Sequence, residues 1–188
     1  MATSWISGFV SHPIGARLVY YPTLLYGILR QSGKRHWYDR IDDRVLLGAL
    51  PLHKVAKEIV DKENVGGVIT LNENYETRFI CPSQKQWSLM NVKNLRIPTT
   101  DFNNAPTLEQ INQSLVFISE VDKSKSVYVH CKAGRSRSSV VVLCYVMSKY
   151  GHNVQNAIDF VKSKRHHVVL GSEHMKRLHQ FYDTKDGS

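Results

Sequence analysis

A cysteine, an arginine six positions on and a hydroxyl directly after it stand together in VYVHCKAGRSRSS, residues 127–139. The opening alternation of β-branched and aromatic residues predicts a short buried strand that delivers Cys131 at its end. Gly134 permits a compact loop, and Ser136 or Ser138 is placed to cap a helix that continues as SSVVVLCYVMSKYG. A strand, a tight loop and a helix N-terminus form an anion site, because unpaired backbone N–H groups and the helix dipole converge there. Lys132, Ala133, Gly134, Arg135 and Ser136 are therefore the expected substrate cradle. A free thiol has a pKa of about 8.5, and a helix N-terminus with nearby cations lowers it to roughly 3.5–7.5. Lys132, Arg135 and Arg137 are the cations at hand. Arg137 also offers a planar guanidinium that binds two phosphoryl oxygens at once, which a lysine cannot imitate. Thiolate, amide cradle and guanidinium are the parts needed to take a phosphoryl group off a substrate.

A leaving alkoxide needs a proton. Asp101, in the polar loop DFNNAP at the expected end of a core strand, is the candidate acid, reaching the site from a neighbouring strand. Asp122 and Asp159 fall on expected helix surfaces or ends. His130, directly before the cysteine, is expected to orient it through backbone bonds rather than act as a base. Ser138 is placed to donate a hydrogen bond to the thiolate and ease its departure from a phosphocysteine. Glu73, Tyr75 and Glu76, in NENYETR, belong at the mouth of the same sheet. They can position a substrate hydroxyl, hydrogen-bond the loop arginines, repel unwanted anions, or form only a charged surface turn. Cys144, among Val141, Val142 and Leu143, reads as a core residue. His166-His167 reads as a solvated helix end; no metal-ligand spacing occurs, and neither metal nor cofactor is expected.

Holding these groups in one place takes a sheet. Residues 44–50, 65–71, 95–99 and the stretch before Cys131 read as strands. Residues 53–63, 83–90, 107–121, 154–164 and 172–182 read as helices, with Thr107 a cap for the third. That alternation predicts an α/β fold with a mostly parallel central sheet flanked by helices, in which ligands bind beyond the carboxyl ends of the strands. The 188 residues suit one domain, with no repeat, low-complexity block or interdomain linker. Three scattered cysteines exclude a disulfide framework and fit a reducing compartment. A formal charge of +9 favours anionic partners. Without an aromatic-and-basic nucleic-acid motif, phosphate-bearing substrates and membrane surfaces come ahead of nucleic acid, and no obligatory protein partner is implied.

The N-terminus differs from the rest. No acidic residue precedes Asp39, while Arg17, Arg30, Lys34 and Arg35 are interspersed with apolar side chains, the composition of a mitochondrial targeting segment. The uncharged run between Arg17 and Arg30 falls short of the roughly 20 residues a bilayer crossing requires, and Pro22 interrupts it. Lying in the membrane interface is the expectation, with a helix packed on the core as the alternative. We expect a targeting or membrane-associating segment at 1–36, a catalytic domain at 37–183 and a tail at 184–188.

HCKAGRSRS, from His130 to Ser138, fits the cysteine-x5-arginine signature and resembles the protein tyrosine phosphatase superfamily. With Asp101 about thirty residues upstream, the chain is similar to the dual-specificity branch over residues 37–182. The resemblance implies that branch's fold, Cys131 as nucleophile, Arg137 as phosphate binder and Asp101 as general acid. More narrowly, YPTLLY, WYDRID, VLLGALPL, GVITLNENYETRF and VYVHCKAGRSRS resemble the mitochondrial phosphatases that dephosphorylate phosphatidylglycerophosphate in cardiolipin synthesis. That likeness implies an anionic phospholipid substrate and a place on the matrix side of the mitochondrial inner membrane. It also departs in one position, since those enzymes carry Glu-Glu-Tyr-Glu where this chain has Glu73-Asn74-Tyr75-Glu76. Three other readings stay open: a phosphoinositide phosphatase, which Lys132 and Arg135 suit, a dual-specificity protein phosphatase, and a silent phosphate-binding membrane scaffold.

Overall fold

Val65–Thr70, VGGVIT, is buried along its whole length, and an apolar run of that kind needs cover on both faces. In the computed structural model, which describes residues 36–101 and 103–186, it is β3 of a five-stranded sheet. The other strands are β1 (Tyr38–Arg40), β2 (Val45–Gly48), β4 (Lys93–Arg96) and β5 (Ser126–His130), in spatial order β1-β2-β5-β3-β4. All pairings are parallel except β1 on β2. The helices are α1 (His53–Glu63), α2 (Asn74–Thr77), α3 (Gln84–Leu89), α4 (Leu108–Glu120), α5 (Arg137–Tyr150), α6 (Val154–Lys164) and α7 (Ser172–Asp186). The expected N-terminal segment lies, apart from His36, outside the described residues.

Alternation along the strands divides the interior into two cores. Leu47, Ile69, Val127 and Val129 pack against α4, α5, α6 and α7. Leu46, Val68 and Tyr128 face the other way, toward Ala56 and Ile59 of α1 and Trp87 of α3. Helix α5 is the axis of the larger core, with every side chain from Arg137 to Met147 buried.

Three local expectations are corrected. Strand β1 was not anticipated: YDR has no apolar alternation and is held at the edge by its antiparallel ladder to β2. Strand β4 is Lys93–Arg96 rather than 95–99. The apolar residues that suggested the later span belong to its continuation, where Ile97 N–H donates to Thr70 (3.0 Å) and Thr99 N–H to Leu71 (3.0 Å) along the extended edge of β3. Helix α7 runs to Asp186, past the expected end at residue 182. Helix α4 starts with a capping box in which Thr107 accepts from the Gln110 N–H (3.1 Å) and Gln110 accepts from the Thr107 N–H (2.9 Å).

Where β2 leaves the sheet, the Tyr128 ring lies over Gly48 and its hydroxyl donates to the Ala49 carbonyl at 2.5 Å. A Cβ on Gly48 collides with that ring. Gly48→Ala should therefore destabilise the protein by about 1–3 kcal/mol, the usual cost of overpacking. Urea unfolding checks this, and an unchanged midpoint contradicts the packing.

Candidate active site

Three structural elements meet at the carboxyl edge of the sheet. Strand β5 ends at His130, residues 131–136 turn sharply, and Arg137 opens α5. The turn depends on Gly134, whose φ of 62° lies in the left-handed region and whose missing Cβ leaves room for the Gly48 carbonyl. The loop carbonyls are bonded outward. Lys132 O accepts from Leu50 N–H (3.2 Å) and Arg135 O from Val169 N–H (2.9 Å). Arg165, only 1% exposed, donates its Nε to Gly134 O (2.8 Å) and its Nη2 to Ala133 O (3.2 Å). In a trans peptide the next residue's N–H points opposite to the carbonyl. The N–H groups of Ala133, Gly134, Arg135 and Ser136 are thereby turned inward, forming an anion-binding nest beside the α5 N-terminus.

Arg165 escaped sequence reading because a lone arginine within KSKRHH looks like part of a solvated helix terminus. In the fold its third edge is fixed by Asp39 of β1, 2.5 Å from Nη1. The Arg135 side chain is braced from behind, its Nε donating to the His167 carbonyl at 3.1 Å. Ser136 occupies the N-cap position with φ −127° and ψ −81°, and its hydroxyl makes no capping bond. Those dihedrals do not aim the hydroxyl at the first turn, so capping by Ser136 is corrected.

Ser138 instead donates its hydroxyl to the Cys131 sulfur at 3.2 Å. Burial pushes the Cys131 thiol pKa up. The Arg137 charge and the Ser138 hydroxyl and backbone bonds outweigh it, so the pKa lies below that of an ordinary thiol. Arg137 is buried and saturated on one side. Its Nη1 donates to Glu76 Oε1 (2.8 Å) and the Thr99 carbonyl (2.8 Å), and its Nη2 to Glu76 Oε2 (3.1 Å). Its Nη2 also stands 3.0 Å from Asp101 Oδ1, while Lys132 Nζ is 3.6 Å from Asp101 Oδ2. Asp101 thus reaches the nucleophile loop, but its segment follows β4, with β3 standing between β4 and β5.

The acidic turn resolves the alternatives for Glu76, which is wholly buried and hydrogen-bonds the loop arginine. Its carboxylate also accepts from Asn72 Nδ2 (2.6 Å) and the Glu73 N–H (3.1 Å). Glu73 sits at the N-cap of α2, and Asn74 accepts from Arg96 Nη2 at 3.0 Å. Tyr75, half-buried on the same turn, keeps its proton because burial and the Glu76 and Glu73 charges raise its pKa. His130 is buried and hydrogen-bonds the Thr70 hydroxyl through Nε2 (3.0 Å). Burial pushes its pKa down to about 3, against the opposing pull of a hydrogen bond with the Cys131 backbone. It therefore stays neutral, which suits an orienting role better than that of a base. Cys144 is buried in the core, with its thiol pushed above the ordinary range by burial. Among the described residues no group of three or more His, Cys, Asp and Glu side chains is arranged to hold a metal ion.

Residues 47–184 match the family model of the dual specificity phosphatase catalytic domain. The chain is 39% identical over 186 residues to the rat protein named phosphatidylglycerophosphatase and protein-tyrosine phosphatase 1, covering 96% of this chain and 94% of the relative. It is 42% identical over 171 residues to the Arabidopsis thaliana phosphatidylglycerophosphate phosphatase PTPMT2, covering 89% and 73%. Among solved structures, that of PTPMT1 in complex with PI(5)P superimposes with a TM-score of 0.77 at 38% identity, covering 81% of this chain and 100% of the other.

Two outcomes follow from the electrostatics. Glu76→Ala leaves the Arg137 charge buried without its carboxylate and should cost about 3–5 kcal/mol of stability, read by chemical denaturation. A loss below about 1 kcal/mol, the value of a surface ion pair, contradicts the buried clamp. For His130, the unfolded chain takes up a proton near pH 6.5, whereas the native state takes one up only near pH 3. Its contribution is complete above pH 6.5 and is lost as pH falls toward 3, at no more than about 1.4 kcal/mol per pH unit. Urea midpoints at pH 7, 6 and 5 should fall less steeply in His130→Gln than in the wild type; parallel slopes contradict the assignment.

Proposed function

The chain belongs to the dual specificity phosphatase family, whose members are phosphoric monoester hydrolases, and from this premise we propose that it removes the terminal phosphate of phosphatidylglycerophosphate to give phosphatidylglycerol. One observation carries the chemistry: a thiol held below its ordinary pKa beside an arginine whose outer edge is locked to Glu76. Cys131 attacks phosphorus in line, and Arg137 and the inward N–H groups take up charge on the equatorial oxygens. Asp101 protonates the leaving oxygen, and a phosphocysteine forms. The Ser138 hydroxyl stabilises the departing thiolate when water, activated by Asp101 now acting as base, releases phosphate. Arg137 is positioned before substrate arrives, so little reorganisation accompanies the reaction.

The lipid substrate is supported by likeness at about 40% identity over nearly the whole chain to relatives named for that phospholipid. An alkoxide leaving group fits a site with a carboxyl at hand. The acid-free, arginine-bearing N-terminus supports a mitochondrial place and contact with the matrix face of the inner membrane. No helix among the described residues is long and apolar enough to cross a membrane. A phosphoinositide headgroup is the second reading, favoured by the complex of the similar PTPMT1 with PI(5)P.

Phosphate release from phosphatidylglycerophosphate, phosphoinositides and phosphotyrosine peptides, measured side by side, separates these readings. The expected order puts phosphatidylglycerophosphate first; a strong preference for either other class overturns the substrate. Cys131→Ser should abolish turnover on every substrate while retaining lipid binding, and undiminished release from that variant refutes the nucleophile.

A further inference from the structure

Asp101 must be held in place, yet its loop has little to hold it. Asn103 and Asn104 are exposed, and the described residues between β4 and α4 carry no strand or helix of their own. The charges of Arg137 and Lys132 attract the carboxyl but do not fix the backbone behind it. That backbone is tied instead to the start of α7. His174, only 2% exposed, lies 3.1 Å through Nε2 from the Asn104 carbonyl and accepts the Gly171 N–H on Nδ1 at 2.9 Å. A backbone N–H only donates and a carbonyl only accepts, so these two partners fit one species: the neutral imidazole with its proton on Nε2. Asn103 Nδ2 donates to the Ser172 hydroxyl at 3.2 Å, and a side chain on Gly171 would strike Asn103. Within the loop, Asn104 Nδ2 donates to the Asp101 carbonyl at 3.4 Å.

We propose that His174 is a positioning residue for the reaction, a buried latch that holds the Asp101 loop so that its carboxyl meets the leaving oxygen. The proposal rests on the reading of Asp101 as general acid. His174 touches neither substrate nor the reacting atoms; it acts through Asn104 and then Asp101. Its neutral form is the one that works, because a proton on Nδ1 would face the Gly171 N–H. Burial keeps its pKa below the ordinary histidine value, with the Arg137 charge acting in the same direction against the raising pull of the Asn104 carbonyl.

A misplaced acid matters only when the leaving group needs a proton. Phenyl phosphate releases a basic phenolate and needs the acid, whereas p-nitrophenyl phosphate releases a far weaker base and does not. The readout is the ratio of kcat/KM for phenyl phosphate to kcat/KM for p-nitrophenyl phosphate, which reports phosphocysteine formation alone and leaves out the hydrolysis step common to both substrates. His174→Leu should lower this ratio by roughly tenfold to a hundredfold. His174→Gln, whose amide can serve both the Asn104 carbonyl and the Gly171 N–H, should restore it. Asp101→Asn should lower the ratio further, and adding His174→Leu to it should change nothing, because both act through one carboxyl. An equal loss on both substrates in His174→Leu, with no rescue in His174→Gln, reduces His174 to a purely structural role and overturns the proposal. If Asp101→Asn lowers the ratio and His174→Leu does not, the latch falls while the acid stands; if Asp101→Asn leaves it unchanged, the acid reading itself falls. Asn103→Ala cuts only the exposed tie and should lower the ratio severalfold even where His174→Leu does not fold. An unchanged ratio in Asn103→Ala then counts against the latch.

Discussion

A buried guanidinium needs its charge countered by partners as buried as itself, and Arg137 is buried almost completely. Glu76 meets two of its nitrogens and the Thr99 carbonyl meets one again, so the arginine is held by segments that follow β3 and β4 while its own backbone opens the helix after β5. Two crossovers of a parallel sheet, β3 to β4 and β4 to β5, are required to bring those partners together. The carboxyl edge of the sheet is therefore where the reaction belongs. The Glu76 turn is itself braced, by Asn72 on the carboxylate and by Arg96 on the Asn74 side chain.

A second buried arginine works from the opposite side of the same loop. Arg137 reaches toward the substrate face, whereas Arg165 binds the carbonyls behind it and is anchored in turn by Asp39. Neither group is interchangeable with lysine, because each satisfies several acceptors at fixed angles. Gly134 completes the design with a positive φ and no Cβ to obstruct Gly48. Since β1 carries Asp39, the chain leaving the N-terminal segment is connected directly to the back of the phosphate loop.

Around the thiol, burial and charge oppose one another. Burial alone would keep Cys131 protonated, as it does for Cys144, and Arg137 with Ser138 reverses the sign only at Cys131. The same burial keeps His130 neutral, so the loop holds a nucleophile and a silent imidazole side by side. Two residues adjacent in sequence thus take opposite roles because one faces cations and hydroxyls and the other faces Tyr128 and Thr70.

Much of the fold was legible in the residues alone. Apolar runs such as VGGVIT, and helices with one apolar face such as residues 53–63 and 154–164, announce themselves because the pattern that buries them is local. Likewise the spacing from Cys131 to Arg137 declares its chemistry, since six residues suffice to turn a loop around an anion. The strand β1 and the true place of β4 were not legible, because edge strands with exposed side chains carry no apolar period and are defined by the neighbours they bond. Arg165 and His174 show the same limit at the site, and Glu76, named from the sequence with several roles open, had its role fixed only by its partners. A buried arginine and a buried neutral histidine look like ordinary surface residues until the partners that satisfy them are known. Nucleophile, arginine and the class of reaction were set by sequence, because they depend on neighbours within one turn. What locks the arginine, turns the loop carbonyls outward and tethers the acid was decided by tertiary structure alone, because each of those bonds joins residues that only the fold brings within about 3 Å of one another.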